Sequence, residues 1–65
     1  MKFNELESVR TLKDFPDYGV KKGEVGVIIV AFKKPNEAYE VEFSDNNGRP
    51  KATLPILPEY LELFL

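Results

Sequence analysis

The sequence predicts an all-β domain, and three observations carry that prediction. Residues 25–32, VGVIIVAF, form an unbroken apolar run rich in β-branched side chains and of strand length. Residues 38–45 alternate, with Tyr39, Val41 and Phe43 set against Glu40 and Glu42. Glycine, proline and asparagine interrupt the apolar runs at short intervals, the punctuation of short strands joined by turns.

A chain of 65 residues has room for one domain, spanning residues 1–65. A domain of this size buries only about 60% of the surface its unfolded chain exposes, so the core must be small and continuous. The absence of cysteine and histidine excludes a disulfide framework, a zinc site and a histidine-based hydrolase. A hydrophobic fraction of 43% with 31% charged residues is that of a folded globular chain. No apolar run approaches the roughly 18 residues that span a membrane, and MKFNELESVR carries acids where a signal peptide would be apolar. A cytoplasmic location is expected. Eleven acidic and nine basic residues give a net charge of −2, which supplies no overall positive field to attract nucleic acid.

Along the chain, Phe3, Leu6 and Val9 are spaced for a short helical turn that hands over to a first strand at residues 9–12. Residues 14–20, DFPDYGV, read as a loop, whose Phe15 and Tyr18 fold back over the core or stand exposed. Gly23 and Gly26 lead into the central strand, residues 25–32. Unbroken alternation puts Val25, Val27, Ile29 and Ala31 on one face and Ile28, Val30 and Phe32 on the other, so each face needs a cover. Val25, Val27 and Ile29 are assigned to the core with Val41, Phe43, Leu54 and Leu61. Residues 33–37, KKPNE, close the strand with a hairpin loop.

The next hairpin turns at Asn47-Gly48, where glycine supplies a positive φ. A two-residue turn there pairs Phe43 with Ala52, Val41 with Leu54 and Tyr39 with Ile56, apolar facing apolar, and Glu42 with Thr53 and Ser44 with Lys51 on the wet side. A three-residue loop would set core residues opposite solvent residues and is rejected. Pro50 and Pro55 mark the fourth strand, residues 51–57, as an edge or a barrel corner. A helical turn at residues 58–60 and a last strand at residues 61–65, with Leu61 and Leu63 inward, complete the chain.

Five short strands, a long first loop and a helical turn before the last strand are the order of a small five-stranded SH3-like barrel. Gly23-Glu24-Val25-Gly26-Val27-Ile28 resembles the glycine-containing core of the KOW motif of ribosomal and transcription-elongation proteins. Nearly the whole chain, through Phe15-Pro16-Asp17-Tyr18-Gly19, Lys22-Gly23-Glu24-Val25-Gly26, Tyr39-Glu40-Val41-Glu42-Phe43 and Gly48, resembles a family of very short, mostly stand-alone prokaryotic proteins catalogued as a domain of unknown function. That resemblance implies an SH3-like barrel and brings no activity, cofactor or catalytic residue; it also implies that the position of Val30 is often polar.

Several constellations have a mundane explanation. Glu40 and Glu42 lie side by side like an acid-base pair, but on a strand face that needs charge for solvation. Asp45-Asn46-Asn47-Gly48 lacks the glutamate that ends a calcium loop and reads as a turn. Without tryptophan there is no aromatic groove of the kind that binds proline-rich peptides. Lys21, Lys22, Arg49 and Lys51 gather at one rim and could hold phosphates, with Asp45 and Glu24 close by. Ile28, Val30 and Phe32 lie under Phe3 and Leu6, or they form with Phe64 and Leu65 an apolar surface for another protein or a second copy. The expected function is therefore a non-enzymatic, cofactor-free protein-binding module, partnering a neighbouring gene product as antitoxins or immunity proteins do. The alternative is a KOW-like RNA- or DNA-binding module.

Overall fold

The computed structural model describes residues 2–65. Five strands, β1 (Ser8–Thr11), β2 (Val25–Phe32), β3 (Ala38–Ser44), β4 (Pro50–Ile56) and β5 (Leu61–Leu63), form one antiparallel sheet in the order β4-β3-β2-β1-β5. Short 3-10 turns at Pro16–Tyr18 and Pro58–Tyr60 each open on a proline, whose fixed φ suits a first turn that needs no N–H from it. Among the described residues no ladder joins β4 to β5, so the sheet has two free edges. Pro50 and Pro55 both lie in the edge strand β4, where a missing donor is tolerated.

The core gathers Phe3, Val9, Val20, Ile28, Tyr39, Val41, Phe43, Leu54, Ile56 and Leu61. Register explains why these residues meet. Tyr39, Val41 and Phe43 pair with Ile56, Leu54 and Ala52, as the alternation of β3 and β4 requires. Across the other side of β3, Phe43 opposes Gly26, Val41 opposes Ile28 and Tyr39 opposes Ala31. The two aromatic side chains of β3 thus sit over Gly26 and Ala31, the two smallest residues of β2, and the smaller Val41 over Ile28. A Cβ on Gly26 would stand 2.7 Å from Val41 Cγ1, 2.8 Å from the Glu42 carbonyl oxygen and 3.0 Å from Phe43 Cδ1, so a larger residue there would force the two strands to shift.

This overturns the parity expected for β2. Val25, Val27 and Ile29 are not core but half-exposed, whereas Ile28, expected on the opposite face, is fully buried. The alternation breaks at Ile29, the extra residue of a bulge between the pairs Ile28–Val41 and Val30–Glu40. Beyond it Ala31 packs inward, while Val30 pairs with Glu40 and stays on the outer face.

A second bulge corrects the β3–β4 hairpin. Gly48 N–H donates to Asp45 O at 3.0 Å and Asp45 N–H to Arg49 O at 2.8 Å, so the loop has three residues, Asn46, Asn47 and Gly48. Gly48 adopts φ 79°, the left-handed conformation such a loop requires. Ser44 pairs with Pro50 rather than with Lys51, and Lys51 is the extra residue that restores Phe43 to Ala52. The Asp45 carboxylate closes the turn by accepting the N–H groups of Asn47 and Arg49.

The N-terminal segment crosses the inner face of the sheet, not the outer one. Phe3 is buried edge-on to Tyr39 at a centroid distance of 5.3 Å, and its N–H donates to Tyr39 Oη at 2.9 Å. Tyr39 Oη in turn donates to Glu37 Oε2 at 2.8 Å. In place of the expected helical turn, Glu7 N–H donates to Asn4 O, and Leu6 has φ 71° and is 80% exposed. Leu6 therefore covers nothing.

The long connection of residues 12–24 doubles back on itself through the mutual bonds of Phe15 and Val20. Phe15 packs against the core and Tyr18 stays exposed, so the two aromatics divide the roles open to them. In β5, Leu61 is buried, and Leu63 shares the inner face with its ladder partner Val9 but is 42% exposed in this edge strand.

Candidate functional site

The outer face of β2 is apolar along its whole length. Val25, Val27, Ile29, Val30 and Phe32 are each between 37% and 40% exposed. The Ile29 bulge produces this continuity. Without the extra residue, outward positions would alternate past Ile29, and Val30 would turn into the core.

The rows of the sheet define the surroundings of this strip. Val27 lies between Glu42 of β3 and Ser8 of β1, and Val30 lies opposite Glu40. Phe64 N–H donates to Ser8 O at 2.9 Å, which carries the β1–β5 register one step past Leu63 and sets Phe64 across the small Ser8 from Val27. Phe64 is exposed, with the Arg10 guanidinium 5.1 Å from its ring centre. Arg10 Nε also lies 3.0 Å from Glu62 Oε2. Leu65, the other C-terminal residue expected here, is fully exposed at the end of the chain.

Of the expected binding residues, Val30, Phe32 and Phe64 therefore share an open surface, and Ile28 is withdrawn into the core. Val25, Val27 and Ile29 join the surface without having been expected there, and Leu6, expected as a cover, is left 80% exposed. A pairing rule could have found the first three: the aromatic side chains Phe43 and Tyr39 need small partners across the ladder, and only Gly26 and Ala31 supply them.

The basic rim is partly neutralised. Lys51 Nζ sits 2.8 Å from Glu24 Oε1 and donates to Gly19 O at 3.2 Å, tying the start of β4 to the long connection. That ammonium hydrogen bond, and then the Lys21 N–H, hold the Glu24 carboxyl below its usual range. Lys22 N–H is taken by Asp14 and the turn after β3 carries Asp45, leaving the Lys21, Lys22 and Arg49 side chains exposed among acids. A shallow depression lined by Asp14, Pro16, Gly19, Val20 and Lys21 adjoins this rim. Its charged lining residues are Asp14 and Lys21.

Fold and face together define an all-β, single-sheet domain with an uncovered apolar strip. The chain belongs to the family described as a domain of unknown function (DUF4926), which it matches over residues 5–63. No curated protein and no solved structure matches it.

Proposed function

We propose that this domain is a non-enzymatic binding protein that docks another protein on the outer face of β2, a neighbouring gene product in the manner of antitoxins and immunity proteins. The observation that carries the reading is the strip itself, five large apolar side chains on one strand left open to solvent. Each forgoes part of the roughly 1.5–3 kcal/mol that full burial of such a side chain yields, and a covering protein recovers it. Within this reading the open sheet is an SH3-like barrel, supported by the strand order, the long connection after β1 and the 3-10 turn before β5.

The test is a photo-crosslinking residue at position 30, used in the native host, with Val30→Glu as its control. Capture of one protein at position 30, and loss of that complex in Val30→Glu with the melting temperature unchanged, is the expected result. Unfolding of Val30→Glu would make the face part of the core and end the proposal. A complex of nucleic acid that weakens about tenfold or more between low and moderate salt would favour the KOW-like reading through Lys21, Lys22, Arg49 and Lys51.

A further inference from the structure

The strip on β2 has two chemically different borders. On the β3 side, Glu40 stands opposite Val30 and Glu42 opposite Val27, on the outward face and two residues apart. Two residues of strand separate them by about 7 Å. Neither carboxylate has an ion pair or a side-chain hydrogen bond among the described residues. Glu7, Glu24, Glu37 and Glu62 have such partners; Glu5 and Glu59 lack them too, but neither lies on a strand of the sheet. On the β1 side the border is apolar: Leu6 N–H donates to Ile28 O at 2.7 Å and Ile28 N–H to Glu7 O at 3.0 Å, so Leu6 and Glu7 both stand opposite Ile28 and the exposed Leu6 lies alongside β2.

Leu6 is the more telling of the two borders. It is the third residue of the Asn4–Glu7 turn, at φ 71°, where glycine or asparagine is the usual occupant. A leucine there strains the backbone, and at 80% exposure it gains little from burial in the isolated domain. Its side chain becomes useful to the molecule only when something covers it.

Resting on the docking reading above, we infer that the occupant of this face is a basic amphipathic segment of another protein, with an apolar stripe that lies along β2 and reaches Leu6, and with lysine or arginine along the edge that meets Glu40 and Glu42. Covering Val27 and Val30 withdraws water from the two neighbouring carboxylates, which is unfavourable unless the partner brings cations to them. A second copy of this chain brings the wrong charge. An isologous contact presents the same patch twice, so four unpaired carboxylates would meet, and the outward Arg10 is already held by Glu62. The chain's net charge of −2 acts in the same direction.

The experiment uses the whole chain and two synthetic helical peptides with an identical leucine and isoleucine stripe, one edged with lysine and one with glutamate, read by fluorescence anisotropy. The lysine-edged peptide binds at least about tenfold tighter than its counterpart, and Glu40→Lys with Glu42→Lys reverses that preference. Leu6→Gly weakens binding while the melting temperature holds or rises, a pairing of signs that a purely structural residue does not give. Equal binding of the two peptides, abolished by Val30→Glu, overturns the basic partner and leaves the docking face standing. Binding of neither peptide, or binding indifferent to Val30→Glu, overturns both. A concentration-dependent dimer that Val30→Glu dissociates assigns the face to a second copy and overturns the inference.

Discussion

Replacing Gly26 with alanine tests the closest approach in the fold. The added Cβ meets Val41 Cγ1 at 2.7 Å, the Glu42 carbonyl oxygen at 2.8 Å and Phe43 Cδ1 at 3.0 Å. The valine methyl can rotate away, but the Glu42 backbone is fixed by its pairing with Val27 on one side and Thr53 on the other. Relief must therefore come from moving β2 away from β3. Overpacking of this kind costs about 1–3 kcal/mol, and loss of glycine's freedom in the unfolded chain returns about 0.4–1 kcal/mol, leaving a net loss of about 1.5 kcal/mol. For a domain of this length that lowers the melting temperature by roughly 6–12 °C. Thermal and urea unfolding followed by circular dichroism measure it, with an unchanged m-value showing that the unfolded state is the same. Val27→Ala is the companion, losing at most about 1 kcal/mol because Val27 faces outward. A Gly26→Ala protein as stable as its parent, together with a Val27→Ala protein that unfolds, would refute the inward glycine and restore the opposite parity.

Phe43→Ala, at the centre of the core, should lose about 3–5 kcal/mol and with it the cooperative melt, since a core this small seldom supplies more. Gly48→Val should destabilise by at least about 1 kcal/mol in urea titrations, because a Cβ there has room but φ 79° suits no β-branched residue, while Gly48→Asn should be nearly neutral. The Glu24 and Glu37 carboxyls are held below the ordinary 4.5, the first chiefly by Lys51 and the second chiefly by the Tyr39 hydroxyl, so their contribution is present above that pH and is lost as pH falls through their depressed values. Burial raises the Tyr39 phenol above the ordinary 10.0, so its contribution is present below that pH and is lost as pH rises through the raised value. Stability measured across pH should therefore fall at both ends, with Tyr39→Phe flattening the alkaline limb and Glu24→Gln and Glu37→Gln flattening the acid one.

The strands, their antiparallel pairing and the edge position of β4 were legible in the sequence because alternation and proline placement leave local marks. Tyr39, Val41 and Phe43 could face only one way, and their partners followed. The two bulges leave no such mark. An apolar run such as VGVIIVAF reads equally well in both parities, and only the volume opposite each position decides between them. The hairpin shows the same blindness: matching apolar pairs predict the right register for β3 and β4, yet a three-residue loop with an extra residue at Lys51 reaches it as well as a two-residue turn does. As for the candidate face, an exposed apolar surface on β2 was foreseen, but its membership depended on Ile29 and its far border on a left-handed leucine. Neither is encoded in a pattern shorter than the sheet.

The prolines of β4 determine how this molecule can meet its own kind. An open sheet presents a free row of backbone groups at each edge, and identical chains can lengthen such rows indefinitely into fibres. In β4 an arriving strand would encounter Pro50 and Pro55 within seven residues, and neither can donate. In β5 it would find a row only three residues long. With both edges unfit as templates, a concentrated solution of this chain is protected from growth strand by strand, even though its most apolar strand lies open on the outer face.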